Sequence, residues 1–176
     1  MLNFELSFCG SNVKVEKMYH LHNWRVIWFA ILLLACSQNM SQYLPSSIDG
    51  YQLNKKLIGQ QARQFVDRLH GKQVAQQENE IGFYRNGDRE ITLYLTYYTQ
   101  PENAQKDWQQ MVNKISPQNS VFVQGKVLEM NGYQVYRTFG MGQTHFVFVH
   151  KNTLIWLSVP TIGSEKLFNA YVRNLK

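Results

Sequence analysis

A chain of 176 residues with 44% apolar side chains is long enough for one domain with its own core and too short for several. Two cysteines exclude a disulfide scaffold. A net charge of +6, carried by scattered lysines and arginines with no basic stripe, excludes nucleic acid as a partner.

The first element is the apolar run Val26–Cys36 (VIWFAILLLAC), preceded by Arg25 and followed at once by Ser37-Gln38-Asn39. A spanning helix needs about 20 apolar residues, so this run has the length of a secretory signal, with a small residue before the cut. Leu33-Leu34-Ala35-Cys36 resembles the lipobox of bacterial lipoproteins. The resemblance implies cleavage between Ala35 and Cys36, a diacylglycerol thioether on Cys36 and acylation of its amine. Residues 1–17 mix two acids with two lysines, unlike a signal n-region, so Met18 is read as the initiator. Ser37, where Asp would resemble an inner-membrane retention signal, implies the outer membrane, with the domain facing the periplasm. Membrane attachment would come through the lipid anchor alone, stable once two or more acyl chains are present.

Removing residues 1–35 from 176 leaves 141. Cys9 leaves with the signal and Cys36 is lipidated, so no thiol remains for a disulfide, a nucleophile or a metal. Lys14, Lys17 and Arg25 leave along with Glu5 and Glu16, which lowers the charge from +6 to +5. Ser37–Ser47 (SQNMSQYLPSS) reads as flexible coil. Residues 36–47 are thus expected to be a lipidated cysteine and tether, and residues 48–176 one domain.

Within that domain, Ile58, Ala62, Phe65, Val66 and Leu69 form one helical stripe over Ile58–His70, with Gly71 as C-cap. His70 sits where a positive end suits the helix dipole. A hairpin follows, Ile81–Arg85 and Arg89–Tyr98 around a type I′ turn at Asn86-Gly87. Ile91, Leu93, Leu95 and Tyr97 form its core face, and Thr92, Tyr94, Thr96 and Tyr98 a wetter one. Pro101 opens a second helix, with Ala104, Trp108, Met111, Val112 and Ile115 inward. Strands Val121–Met130 and Tyr133–Phe139 flank Asn131-Gly132. Gly140–Gln143 turns into Thr144–His150, Lys151-Asn152 turns again, and Leu154–Pro160 closes the sheet. Ser164 is expected to cap a last helix with Leu167, Phe168, Tyr171, Val172 and Leu175 inward.

The order predicts an α+β domain: a single antiparallel sheet of about six strands with about three helices on one face. Phe83–Leu95 and Phe148–Leu157 are both hairpins followed by a helix, a pattern open to internal duplication.

Chemistry is sparse. His145 and His150 are five apart on one strand and point to opposite faces, so they cannot share a metal. Met130, Met141 and His145 offer soft ligands without any Met-rich cluster, and neither metal nor cofactor is expected. Gly140-x-Gly142 opens a strand, so it is no phosphate cradle. Glu78 and Glu80 read as a solvated strand edge. No nucleophile–base set stands out, and no catalytic residue is assigned. The candidate binding face is aromatic: Tyr94, Tyr98, Tyr133, Tyr136 and Trp156, though half-buried sheet positions favour aromatics anyway.

Two further resemblances bear on the domain. Glu90–Gln100 (EITLYLTYYTQ), with Leu44-Pro45 and Gly50-Tyr51, is similar to the sheet of exosortase-associated exopolysaccharide proteins, whose Cys-Pro-Gly-x-Gly-Trp segment is absent here. Gly140–Leu157 resembles uncharacterised bacterial lipoproteins with a GMGQ-x-H strand and an IWL strand. The expected function is a non-enzymatic binding or envelope-assembly accessory lipoprotein whose partner is an envelope protein or polysaccharide. The alternative is a carrier of a small apolar or saccharide ligand, or an exopolysaccharide-export accessory.

Overall fold

Alternating side chains and two-residue turns build an eight-stranded antiparallel sheet in the computed structural model, which describes residues 41–71, 77–115 and 121–175. The signal run and the Ala35–Cys36 cleavage site lie outside the described residues. The strands are β1 (Ser47–Ile48), β2 (Tyr51–Ile58), β3 (Glu78–Asn86), β4 (Arg89–Tyr97), β5 (Phe122–Met130), β6 (Tyr133–Gly140), β7 (Gln143–His150) and β8 (Thr153–Pro160). They lie in the order β1-β2-β3-β4-β8-β7-β6-β5.

The α+β class holds, but the strand count is eight, not six. The two extra strands sit at the N-terminal edge, where the pattern misleads. Tyr51, Leu53 and Leu57 look like one face, yet the pairing of β2 with β3 slips between Leu53 and Lys55. That bulge sends Leu53 to one side of the sheet and Leu57 to the other.

Turn chemistry sets the registers. Asn131 and Gly132 both have positive φ, as a type I′ turn requires, and so do Met141 and Gly142. The first hairpin differs from expectation. Asn86 pairs with Arg89, so its loop is Gly87-Asp88, with positive φ at Gly87 alone. Glycine at the first central position is the type II′ signature.

Three helices complete the unit: α1 (Gly59–His70), α2 (Pro101–Ile115) and α3 (Ser164–Val172), the last followed by a 3-10 turn, Arg173–Leu175. Gly71 caps α1 as expected, and His70 Nδ1 donates to the Val66 carbonyl (2.8 Å), a local role. Ser164 is not the cap of α3. Gly163 precedes the helix in a left-handed conformation, with no side-chain bond.

The helices cover both faces of the sheet, not one. On the first face, Tyr84, Leu93, Leu95, Phe146, Phe148, Ile155 and Leu157 pack against α3. Phe168 stacks between Phe146 (4.8 Å) and Phe148 (5.4 Å) and is fully buried, worth about 1.5–3 kcal/mol for such a side chain. On the second face, α1 packs on Ile81, Phe83 and Tyr94, while α2 sets Ala104, Trp108 and Val112 on Val147, Leu154 and Trp156. The physical reason is composition. In β7 and β8 the segments Phe146–Val149 and Leu154–Leu157 are apolar on both sides, so each side needs a lid.

Hairpins β3–β4 and β7–β8 meet through β4 and β8, so the strand order is palindromic. Yet α2 and α3 go to opposite faces. The rotation that relates the hairpins therefore does not relate the helices that follow them.

The segment from Ser41 to Ser47 is part of the fold, a correction to the tether expected over 36–47. Tyr43 and Leu44 are buried on the first face, and Ser47 pairs with Gln52.

Candidate functional site

The five aromatics expected to form a binding face do not form one exposed surface. Tyr94 and Trp156 are register partners on the second face, with Tyr94 half-buried beside Phe65 of α1. Tyr136 lies on that face too but is 2% exposed. Its ring crosses Gly125 so closely that a Cβ there would fall 1.9 Å from the Tyr136 hydroxyl. Tyr98 is buried under α2 and donates to Asp107 Oδ2 (2.9 Å); burial and that bond push its pKa well above the ordinary tyrosine value. Tyr133 is on the opposite face, against Phe148 and His150.

The register of β7 with β8 makes one pairing that spacing alone did not reveal: His145 opposite Ser158. His145 Nε2 donates to the Gly140 carbonyl (2.9 Å), which leaves Nδ1 as acceptor. Facing it are the Ser158 hydroxyl at 2.8 Å and the Trp156 indole N–H at 3.1 Å. A serine donating to an imidazole is the start of a nucleophile–base pair. Here, however, the second nitrogen is held by main chain rather than a carboxylate. Both residues are 4% exposed, and Phe122 sets its edge on the imidazole at 5.0 Å. Burial lowers the His145 pKa, so the ring is neutral. This cluster locks the β6–β7 turn.

The richest polar arrangement lies on the first face, under the strap formed by residues 41–44. Tyr97, Thr153 and His150 stand in one cross-strand row on β4, β8 and β7. Tyr97 donates to Glu80 Oε2 (2.6 Å), and the Ser41 hydroxyl donates to the same oxygen. Glu80, read from sequence as a solvated edge, is thus the link between strap and sheet. Tyr43 stacks on Tyr97 (6.2 Å) and sets its ring edge-on to His150 (5.3 Å), while its carbonyl accepts from Tyr171 (3.2 Å). The Tyr133 hydroxyl sits 2.7 Å from His150 Nδ1. Burial, then the bond to Glu80, drives the Tyr97 pKa well up; burial, then Lys151, draws that of His150 down. All three members of the row are therefore uncharged at neutral pH.

Two polar atoms of this row, Thr153 Oγ1 and His150 Nε2, are buried without a protein partner. With the strap down, Tyr43, His150 and Thr153 are shut from solvent, while Glu80, Tyr97 and Tyr133 stay half-buried at its margin. His145 and His150 do face opposite sides, as expected. Among the described residues, no three His, Cys, Asp or Glu side chains converge as metal ligands. No helix among them is long and apolar enough to cross a membrane.

What sequence reasoning missed is the strap. Its signal was Tyr43-Leu44-Pro45, an aromatic–aliphatic pair inside a Ser/Gln stretch that composition alone reads as coil.

No family model matches the chain, and no curated protein matches it. Among solved structures, the chain is similar to a GTP binding regulator from Thermotoga maritima at 16% identity and a TM-score of 0.46, over 73% of this chain and 77% of that one. At that level the likeness bears on no residue of this chain.

Proposed function

We propose that the chain is a lipid-anchored accessory domain of the bacterial envelope, held at the outer membrane through Cys36 and facing the periplasm. It acts by binding an envelope protein or polysaccharide rather than by catalysis. The observation that carries this reading is the Leu33-Leu34-Ala35-Cys36 block, only four residues ahead of a strap built into the domain core. A non-enzymatic role is supported by the Ser158–His145 pair, sealed from solvent and tied to main chain. The test is the intact mass of protein extracted from host membranes. A terminus at Cys36 carrying acyl mass is expected, and Cys36→Ala should abolish it. An unprocessed, unacylated chain refutes the reading.

A second reading is a carrier for a small saccharide-like ligand under the strap. It is favoured by the unpartnered Thr153 Oγ1 and His150 Nε2 beneath Tyr43. Native mass spectrometry of the extracted protein tests it, since a carrier retains a non-covalent mass and a protein-binding module does not.

A further inference from the structure

We infer that the β2–α1 edge is a docking face for the anionic phospholipid surface of the membrane that holds the anchor, an inference that rests on the anchored reading above. The first ground is charge. On β2 and α1 the ionised side chains are Lys55, Lys56, Arg63 and Arg68 against a single acid, Asp67. Lys55 and Lys56 leave the β2 edge on its two sides, Arg68 stands on the Lys55 side, and all three are exposed and enter no salt bridge among the described residues. Between the two elements runs an open cleft of about 500 Å³, lined by Lys55, Leu57, Gln61, Gln64, Phe65 and Arg68. Arg68 lies over the Phe65 ring at 5.8 Å, with its charge outward. Apolar side chains flank the cations: Ile58 is 51% exposed and Leu69 60%. Basic heads with apolar neighbours match an interface of phosphate headgroups over acyl chain.

The second ground is reach. Four residues, 37–40, separate Cys36 from Ser41. Fully extended, the five steps span about 18 Å at most. Ser41 is bonded to Glu80, and Glu80 is the register partner of Ile58, the residue where β2 passes into α1. A lipid on Cys36 therefore keeps the β2–α1 junction close to the headgroups.

Lysines on an edge strand also have a purely protective role, since their charge keeps other strands from pairing. β1 pairs with Tyr51 and Gln52, and the Ser46 carbonyl accepts from the Leu53 N–H (2.9 Å); beyond Leu53 no strand among the described residues pairs with the outer edge of β2. Charge reversal separates the two roles. Glutamate guards an edge as well as lysine does, but it repels an anionic bilayer.

The experiment uses the full chain with Cys36→Ala, alone and combined with Lys55→Glu, Lys56→Glu and Arg68→Glu. Both forms keep the same apolar run, so their difference belongs to the edge. Partition is measured on vesicles of phosphatidylcholine with and without phosphatidylglycerol. Each cation near the surface is worth about fivefold in partition, so the triple reversal should lower the anionic preference at least about a hundredfold. In the lipidated protein on anionic vesicles, amide exchange over β2 and α1 should slow, and should not slow on neutral ones. An anionic preference untouched by the reversal overturns the proposal, as does equal binding to a soluble polyanion. Absence of acyl mass on Cys36 with the preference retained would sink the anchor instead, so the two failures are distinguishable.

Discussion

Mild acid should destabilise this domain before its carboxylates titrate, because its two interior histidines are held neutral. His145 and His150 are 4% and 9% exposed, and burial lowers both pKa values. In the unfolded chain an imidazole takes a proton near pH 6.5. Below that pH the unfolded state binds protons that the folded state refuses, so stability falls with pH. The loss is absent above the unfolded pKa, grows below it, and levels off once pH passes the folded values. A ring that stayed wholly neutral between about pH 7.5 and about pH 5.5 would cost about 1.4 kcal/mol, which is therefore the ceiling for each histidine. Carboxylates ordinarily titrate near 4, which leaves that window to the histidines. Urea unfolding across the window reads the slope directly. His145→Gln and His150→Gln should each remove part of the pH dependence, whatever they do to stability at neutral pH. Stability that is flat or rising on acidification, or a slope unchanged in both variants, refutes the reasoning.

Three substitutions extend the test. Tyr43→Ala removes a ring packed on Tyr97 and His150 and should cost about 3 kcal/mol in urea unfolding; an unchanged midpoint would mean the strap adds nothing. Gly125→Ala drives a methyl into the Tyr136 hydroxyl and should cost about 1–3 kcal/mol. Adding Tyr136→Phe should restore part of it by removing the nearest atom, and no recovery would place the strain elsewhere. Trp108→Phe leaves the Val147 carbonyl without its indole partner (2.8 Å) and opens space under α2, for a loss of about 2–3 kcal/mol in thermal or urea unfolding.

The six central and C-terminal strands were legible because each is a long run rich in apolar and β-branched residues bounded by a recognisable turn, even in β5, which bulges between Val123 and Lys126. Asn131-Gly132 falls where Met130 pairs with Tyr133, and Met141-Gly142 where Gly140 pairs with Gln143. The inward residues of α2, Ala104, Trp108 and Val112, are those its 3.6-residue stripe selects. Legibility failed where one residue's shift changes the answer. The bulge in β2 splits Leu53 from Leu57, and the first turn moves on by one position to Gly87-Asp88. The side taken by each helix was hidden for another reason. An amphipathic stripe says that a helix has an inner face, but not which side of the sheet that face meets. Only the doubly apolar runs in β7 and β8 hinted that both sides needed cover. The aromatic residues misled because a side chain that suits a binding surface also suits a half-buried sheet position, and Tyr136 and Tyr98 took the second option.

The strap is where the anchored end of the chain and the interior of the domain meet, and the forces holding it are unequal. Its hydrogen bonds, from Ser41 to Glu80 and from Tyr171 to the Tyr43 carbonyl, are replaced by water when it lifts, a net loss of about 0.5–1.5 kcal/mol each. The burial of Tyr43 and Leu44 is not replaced, at about 1.5–3 kcal/mol for each side chain. Opening should therefore cost about 4–9 kcal/mol, at or below the 5–15 kcal/mol typical of a whole domain. The eight-stranded ladder does not depend on residues 41–44, since its β1 end begins at the Ser46 carbonyl, which accepts from the Leu53 N–H (2.9 Å), and at Ser47, which pairs with Gln52. The strap should accordingly open as its own unit, with amides of residues 41–44 exchanging ahead of those in β4, β7 and β8. Exchange of the strap in step with the central strands would show instead that the row under it is part of the global core, and the carrier reading would fall with it.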